Sequence, residues 1–365
     1  MAGPWKMARS VGLFVLKQGA RPAVLVRSRI PDGEFQRPHS FGLGPDEDPR
    51  SRILLTLSEC GLKVNENDPR SLDLKMVYYN KEVRHDEHLF AVEVPPRLKA
   101  PKGFRWVTPK TAFRSFLLSG HKRAMMGLFP KVLGKDFWAL DHVPVKHPSG
   151  IVVICDFDGT VTDKEASLAI LRRFAPGRWE RYEKPWLERK ISTHDCLGYQ
   201  FTMMDASVEE MSRFAAGEIS LRNGFKKFVT WCRKKGIGLV ISSAGVEFYI
   251  RAILKKNGLV DVSYIADRNH WVEGIGHIAE EGLYNADCDW CGNCKLELIK
   301  LYRSRGAKVV YVGDGKTDEC PCAHADEIFA RAGLRDFCAR EKIDNCMPFE
   351  TFDDVKRGIE IRYEK

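Results

Sequence analysis

Continuous apolar runs and amphipathic stretches alternate through the second half of the chain. The runs IVVICDFD (151–158), IGLVISS (237–243) and AKVVYVGD (307–314) are largely apolar, which is typical of buried parallel strands. Stretches between them, such as SLAILRRFA and GVEFYIRAILKKNGL, repeat apolar residues at helical spacing. This alternation predicts an α/β fold, a parallel sheet with helices on both faces. The helical stretch 164–225 is too long for a simple crossover and predicts an inserted helical cap.

The first part of the chain has a different pattern. Short runs that predict strands surround one run that predicts a helix, PRSRILLTLSECGL. The strand runs are VGLFVL, PAVLVRS, LKMVYYN, EHLFAVEV and RWVT. The segment 141–150, DHVPVKHPSG, is rich in turn residues and lacks apolar periodicity. The sequence therefore predicts a smaller α+β domain over 1–147 and a larger α/β domain over 148–365.

Charge is distributed unevenly between these two predicted domains. Residues 1–147 contain 25 Lys and Arg against 15 Asp and Glu, which leaves 33 against 34 for the rest of the 365 residues. The basic excess is open to two interpretations, plain solubility or attraction to a nucleotide or nucleic acid. No apolar run reaches the ~18 residues that suggest a membrane span, so no membrane partner is expected. The 11 scattered cysteines predict a reducing, cytoplasmic location.

Polar residues gather where the predicted strands end. Asp156 and Asp158 close the first strand and, being two residues apart, point the same way in an extended chain. Two carboxylates facing one point suit Mg²⁺, or a covalent reaction in which one attacks phosphorus and the other moves protons. The remaining polar candidates at strand ends or helix starts are Ser242, Ser243, Lys295, Asp314 and Asp318. A solvated strand end is the alternative for any one of them, but the set in this order favours an active site.

This set resembles the haloacid dehalogenase superfamily of phosphatases, whose DxDGT signature matches residues 156–160. The resemblance implies a Rossmann-like core and Mg²⁺-dependent hydrolysis of a small phosphomonoester through an aspartyl-phosphate. It implies that Asp156 is the nucleophile, that Asp158 is the general acid and then base, and that Ser243 and Lys295 hold the phosphoryl group.

The resemblance also implies a metal site and a set of substrate contacts. Mg²⁺ is expected on the carboxylates of Asp156 and Asp314 and on the backbone carbonyl of Asp158. Asp318 belongs to the same acidic site, where it orients Lys295 or a metal-bound water. The expected substrate contacts are Thr160, Glu165, Ser242 and Ala244. Arg172, one of several arginines in the predicted cap, is a further candidate that could reach an anionic substrate, with a solvated side chain as the alternative.

The helical insertion places the resemblance in the phosphoserine-phosphatase-like branch of the superfamily. The stretches FAPGRWERYEKPWLERKIS, CGNCK and ADEIFARAGLRDFCARE look most like methionine-salvage phosphatases of that branch. Glu165 lies nine residues after Asp156, where phosphoserine phosphatases carry a substrate-contacting glutamate. Activity on phosphoserine therefore stays open as an alternative, as does a simple helix-start glutamate.

Residues 8–132 resemble a Nudix hydrolase domain, whose helix carries a run of metal-binding glutamates. Glu59 keeps one of those positions, whereas Ser58, Leu55 and Leu54 stand where Glu, Glu and Arg are expected. The upstream acid is at best Asp46. No Nudix hydrolysis is therefore expected. Packing, homodimerisation, and binding of a nucleotide or nucleic acid stay open as roles for this domain.

Three cysteines precede Lys295 in the stretch CDWCGNC. Cys288, Cys291 and Cys294 have the C-x₂-C spacing of zinc ligands. A second C-x₂-C pair is missing from the sequence, so free thiols are the alternative.

Overall fold

The computed structural model describes residues 6–18, 21–27, 39–44, 46–59, 61–80, 83–109, 112, 125, 128–129, 147–201, 203–272, 275–279, 288, 290–291 and 293–363. The chain divides into two compact units. The first contains Met1–Trp138 and His270–Glu280, and the second contains Ala139–Asn269 and Glu281–Lys365. The sequence pattern gives no sign that 270–280 groups with the first unit.

Among its described residues, the first unit contains a six-stranded sheet and the helix Pro49–Glu59. Its strands are β1 (Lys6–Lys17), β2 (Ala23–Arg27), β3 (His39–Leu43), β4 (Arg70–Asn80), β5 (Val83–Glu93) and β6 (Phe104–Val107). Their order is β4-β5-β1-β2-β6, with β3 paired to β1. The β1–β5 pair is parallel, and the other pairs are antiparallel. All five predicted strand runs overlap these strands, whereas β3 was not predicted.

The core of this unit is formed by every second residue of a strand and by residues four apart on a helix. Val11, Leu13 and Val15 lie at every second position of β1, so they face the same side of the sheet. Helix Pro49–Glu59 buries Ile53 and Leu57, which are four residues apart and lie on one helical face. These five side chains belong to one hydrophobic cluster. The predicted helix is therefore confirmed, and it packs through its apolar face.

The second unit is built around a parallel sheet. Its strands are β7 (Ile151–Cys155), β8 (Gly238–Val246), most of β9 (Ser263–Val272), β11 (Lys308–Gly313), β12 (Glu327–Ala330) and β13 (Cys346–Pro348). The last residues of β9 and the whole of β10 (Ile275–Ala279) fall in the first unit. The sheet order is β10-β9-β8-β7-β11-β12-β13, and every pair from β9 to β13 is parallel. This is the predicted Rossmann-like α/β core.

Helices connect these strands. Four lie between β7 and β8 in the predicted insertion: Ala166–Phe174, Glu183–Leu187, Thr193–Phe201 and Val208–Glu218. The others are Phe225–Lys235, Glu247–Lys256, Lys295–Ser304, Glu319–Cys322, Ala332–Arg340 and Phe352–Tyr363, with single turns at Glu180–Tyr182 and Lys316–Asp318. No helix of the described part of the chain is long and apolar enough to cross a membrane.

The strand order creates a crevice beside β7. From β7 the chain first builds outward through β8 and β9, and it later returns to add β11 on the other side. The connections on the two sides of β7 therefore diverge, which opens a crevice at the carboxyl ends of the strands. The sheet beneath is apolar, since Val152, Ile154, Val309 and Tyr311 are fully buried in one cluster. The residues after β7, β8 and β11 are thus held together by a rigid base.

Candidate active site

Asp156 follows β7 directly and begins a tight turn. Its backbone N–H donates to the carbonyl of Val312 at 2.9 Å, which ties the end of β7 to β11. Gly159 has φ of 72°, a left-handed conformation that favours glycine. A Cβ atom at Gly159 would meet the carboxylates of Asp314 and Glu165. The glycine therefore lets the side chains of two acidic residues, Asp314 and Glu165, approach this turn of backbone.

Lys295 links two of the acidic side chains. Its Nζ donates to Asp156 Oδ1 at 2.6 Å, to Asp318 Oδ1 at 2.6 Å and to Thr317 Oγ1 at 3.1 Å. The side chain is 1% exposed. Burial lowers the pKa of the ammonium, but the carboxylates of Asp156 and Asp318 outweigh it, so the net pKa is raised. Lys295 is therefore a fixed positive charge beside the Asp156 carboxylate.

Asp318 is fully buried, and both of its oxygens accept hydrogen bonds. Oδ1 also accepts from the Tyr311 hydroxyl at 2.6 Å, and Oδ2 accepts from the backbone N–H groups of Asp314 and Gly315, each at 3.0 Å. These donors occupy the carboxylate and fix both Lys295 and the loop after β11. Asp318 thus contacts Lys295 directly, and its expected orienting role stays a prediction. Tyr311 was not anticipated, since a tyrosine inside a strand carries no signal in the sequence.

Asp314 is held by Thr160, whose hydroxyl donates to Asp314 Oδ1 at 2.6 Å. Thr160 is fully buried, so its hydroxyl supports the acidic cluster and is not among the groups that line the cavity. Arg222 and Arg331 hold the same turn from outside, because both donate to the carbonyl of Gly159. Neither arginine was anticipated. Every residue has a backbone carbonyl, so the sequence does not show which side chains will donate to one.

The acidic cluster suits a divalent cation. One carboxylate oxygen from each of Asp156, Asp314 and Asp318 lies within 4.8 Å of the others, and all three residues are buried. Burial raises the pKa of Asp314 to about 6, with a further increase from Asp318. Burial also raises the pKa of Asp156, and Lys295 offsets only part of that increase. Negative charge therefore exceeds positive charge here, and a hard cation with oxygen ligands would relieve the excess.

Asp158 is clamped by donors at both oxygens. Oδ1 accepts from the N–H groups of Ala166, at 2.6 Å, and Ser167, at 3.2 Å, which start helix Ala166–Phe174. Oδ2 accepts from the Tyr249 hydroxyl at 2.6 Å. Burial raises the pKa of Asp158, and these three donors oppose the increase. The clamp fixes Asp158 beside the cavity that it lines.

Tyr249 reaches Asp158 by passing over Gly245. A Cβ atom at Gly245 would collide with the Tyr249 hydroxyl, so only glycine leaves this path open. Gly245 lies near the end of β8, and Tyr249 lies in the first turn of helix Glu247–Lys256, four residues later. This contact was not anticipated, because no fixed spacing in the sequence links Tyr249 to Asp158.

Ser243 and Ala244 line the cavity, whereas Ser242 does not. Ser243 is buried, and its Oγ accepts from the Gly245 N–H at 2.9 Å. Ser242 Oγ accepts from Asn293 Nδ2 at 3.2 Å, and the same amide also donates to the Ser243 carbonyl at 2.9 Å. Ser243 therefore lines the cavity, and Asn293 links the Ser242 hydroxyl to the Ser243 carbonyl. Asn293 was not anticipated, although it stands two residues before Lys295.

A cavity of about 290 Å³ opens beside these groups. Asp156, Asp158, Asp314 and Glu165 are among its lining residues. Burial, and then the neighbouring Asp158 and Asp314, raise the pKa of Glu165 to about 8. Arg172 is exposed in the last turn of helix Ala166–Phe174 and is not among the lining residues. The structure thus brings Glu165 to the cavity and leaves Arg172 outside it.

The cysteines before Lys295 are free thiols in this structure. Cys288, Cys291 and Cys294 do not join a cluster of metal ligands, since the acidic trio is the only such cluster in the described part of the chain. Burial raises the pKa of Cys291 to about 12. The structure therefore offers no metal geometry that favours the zinc hypothesis over free thiols.

The first unit presents no comparable site among its described residues. Asp46, Leu55, Ser58 and Glu59 are exposed around helix Pro49–Glu59, and Leu54 is half-buried. No group of three potential metal ligands gathers there within the described ranges. The helix face on which a Nudix site would stand therefore lacks converging carboxylates.

Known proteins share features of the second unit. The sequence profile of the haloacid dehalogenase-like hydrolases matches residues 153–320. A Brevibacillus brevis protein named 2-hydroxy-3-keto-5-methylthiopentenyl-1-phosphate phosphatase is 33% identical over 212 residues, 58% of this chain and 95% of that protein. A Geobacillus kaustophilus protein of the same name is 34% identical over 209 residues, 56% of this chain and 93% of that protein. A solved substrate-bound phosphoserine phosphatase has 19% identity and a TM-score of 0.45, over 57% of this chain and 97% of its own.

Proposed function

Because this chain belongs to the haloacid dehalogenase-like hydrolase family and is a phosphatase, we propose that it hydrolyses a small phosphomonoester through a phosphoaspartate on Asp156. The observation that carries the proposal is the buried Lys295 ammonium at 2.6 Å from Asp156 Oδ1, with Asp314 and Asp318 close by. A carboxylate held beside a cation can attack phosphorus while the cation attracts the phosphoryl oxygens.

The proposed reaction has two steps. In the first, the Asp156 carboxylate bonds to phosphorus and the ester P–O bond breaks, while Asp158 gives a proton to the departing oxygen. In the second, Asp158 takes a proton from water, which attacks phosphorus and releases phosphate and the Asp156 carboxylate. Ser243 and Lys295 hold the phosphoryl oxygens in both steps. We assign Tyr249 and the N–H groups of Ala166 and Ser167 to holding Asp158 in place.

Mg²⁺ fits the acidic cluster, and we propose that it is the cofactor. Asp156, Asp314 and the backbone carbonyl of Asp158 would hold it, and Asp318 would act through Lys295 because its own oxygens are occupied. When bound, Mg²⁺ supplies positive charge for the phosphoryl oxygens and offsets the excess of carboxylates.

The helices between β7 and β8 are proposed to act as the substrate-covering cap, because Glu183, Thr193 and Gln200 from this region line the cavity. Curated relatives are named for 2-hydroxy-3-keto-5-methylthiopentenyl-1-phosphate, so that ester is the first substrate to test. For the first unit we propose a Nudix-like fold without diphosphate hydrolysis, supported by the apolar and exposed positions along helix Pro49–Glu59.

A screen of phosphorylated metabolites with Mg²⁺, measured as phosphate release, tests the proposed function. We expect turnover of at least one small monoester and a loss of at least ~10⁴-fold in Asp156→Asn, because an amide of nearly the same shape is a poor nucleophile. Unfolding curves of both proteins check that the variant is folded. Substantial activity in a folded Asp156→Asn variant would remove Asp156 from the nucleophile role.

A further inference from the structure

One wall of the cavity takes no part in the phosphoryl chemistry. Helices Glu183–Leu187 and Thr193–Phe201 contribute Glu183 and Gln200 to this wall. Gln200 Nε2 donates to Glu183 Oε1 at 2.7 Å, and Gln200 is 1% exposed. Because the amide is packed in place, it fixes the orientation of the Glu183 carboxylate at the cavity.

The charge of Glu183 is not neutralised by a neighbouring cation. No Lys or Arg of the described residues forms an ion pair with Glu183, and the nearby Lys184 and Lys190 pair with Glu188 instead. The Glu183 carboxylate also affects Cys196, because burial and then the charge of Glu183 raise the pKa of the Cys196 thiol. Glu183 therefore presents negative charge to whatever occupies this part of the cavity.

The other described residues that line the cavity do not offset the negative charge of Glu183. Among described lining residues the only Lys or Arg is Lys316, and its Nζ donates to the Leu187 carbonyl at 2.8 Å. Leu168, Leu171 and Leu197 supply an apolar surface. The organic part of a substrate thus meets aliphatic side chains, the Trp186 ring and the carboxyl groups of Glu183 and Glu165, and burial raises the pKa of Glu165 to about 8. Among the described lining residues it meets no second cation placed to receive an anionic group.

We propose that Glu183, oriented by Gln200, selects phosphate esters with a short, partly aliphatic, hydroxylated organic part and rejects those with a second anionic group. The selection rests on the proposed function, because it concerns the organic part of the same ester. A hydroxyl can donate to Glu183, whereas a substrate carboxylate near it is repelled. Two like charges in a partly buried cavity repel strongly enough for discrimination of tenfold or more, since ~1.4 kcal/mol suffices for that factor.

Titration calorimetry on the full-length Asp156→Asn protein with Mg²⁺ measures this selection without consuming the ligand. Glycerol 1-phosphate and 3-phosphoglycerate are a matched pair, since the second has a carboxylate where the first has a hydroxymethyl group. We expect glycerol 1-phosphate to bind roughly tenfold tighter or more, in keeping with the repulsion.

Adding Glu183→Gln, which keeps an oxygen acceptor for Gln200, should bring the ratio of the two dissociation constants within about threefold of unity. Glu180→Gln is the control, because Glu180 is exposed and does not line the cavity.

Equal affinities before Glu183 is changed, an unchanged ratio in Glu183→Gln, or no binding of either ester would each overturn the proposal. O-phosphoethanolamine and O-phosphoserine, which also differ by one carboxylate, repeat the comparison without any change at Glu183 and decide the matter if Glu183→Gln does not fold. Phosphate release by the unmodified chain is measured separately. Its absence counts against the proposed function, whereas its presence with an unchanged ratio counts only against Glu183.

Discussion

The two units of the chain handle buried charge in opposite ways. Among described residues of the first unit, Glu87 is the only fully buried acid, and helix Pro49–Glu59 faces its core with Ile53 and Leu57. The second unit buries Asp156, Asp314, Asp318 and Lys295 together. Replacing such a buried ionic cluster with apolar residues is often neutral or stabilising, so packing alone does not account for it. The difference locates the chemistry in the second unit and predicts which changes abolish it.

Lys295→Ala should have the largest effect among the predictions that test this comparison. Removing the ammonium takes away the phosphoryl contact and leaves Asp156 and Asp318 without their cation. We expect kcat to fall on the order of 10²-fold or more at any Mg²⁺ concentration. Kinetics over a range of Mg²⁺ measure this, with a thermal unfolding curve as the control for folding. A near-normal rate, or full rescue by Mg²⁺, would assign Lys295 to structure only.

Asp314→Asn should fail in a different way. The change weakens the proposed metal ligand and leaves Lys295 in place, so the Mg²⁺ requirement should rise ~10–100-fold and excess Mg²⁺ should restore part of the rate. Since burial raises the pKa of Asp314 to about 6, Asp314 is protonated below that pH and ionised above it. Mg²⁺ affinity of the unmodified chain should therefore increase as pH rises through about 6. Failure of excess Mg²⁺ to rescue the variant would argue against Asp314 as a ligand.

These two predictions concern Lys295 and Asp314, which the sequence pattern placed at a helix start and at a strand end. Asp156 and Asp314 follow β7 and β11, and Ser243 lies near the end of β8. Neighbouring parallel strands bring their carboxyl ends together whatever the connecting helices do. Strand type and order are set by long apolar runs, which are strong signals. That these three residues meet at one edge of the sheet was therefore predictable from local patterns combined with one topological rule, whereas their catalytic roles stay proposals.

The supporting contacts were not predictable, because each depends on packing between distant segments. Tyr249 is 91 residues from Asp158 in the chain, and Thr160 is 154 residues from Asp314. Such partners carry no fixed spacing, since helix and loop lengths between them can vary. Arg172 was a candidate substrate contact that the structure leaves outside the cavity. Helix periodicity alone did not show which face of the helix meets the cavity.

Tyr249→Phe should reduce the phosphatase rate of the second unit moderately. The variant loses only the hydroxyl that donates to Asp158, a contact with a charged group. We expect kcat for an alkyl phosphate to fall roughly tenfold with little change in KM. The loss should be smaller for p-nitrophenyl phosphate, whose leaving group needs little protonation. Equal losses for both substrates would indicate a structural role, and Tyr264→Phe, which removes a hydroxyl bound to Glu247, is the matched control.

The smallest effect is expected in the first unit. Full-length Asp156→Asn protein, in which the phosphatase is disabled, should show no Mg²⁺-dependent cleavage of dinucleoside polyphosphates. Adding Glu59→Gln should change neither that background nor stability, because Glu59 is exposed at the end of its helix. Chromatography of the nucleotide products measures cleavage. Cleavage above background that disappears on Glu59→Gln would show that a single glutamate suffices for a Nudix reaction, and the contrast between the units would fail.

Gly245 has a consequence for how this sequence can drift over evolutionary time. Any side chain at position 245 would occupy the space of the Tyr249 hydroxyl. A descendant that gains even alanine there must first shorten or swing out the residue at 249, and with it gives up the third donor to Asp158. Substitutions at the two positions are thus ordered in time, with 249 changing before 245. The two positions, four residues apart, therefore change as a linked pair, and a reversal must restore Gly245 before it restores Tyr249.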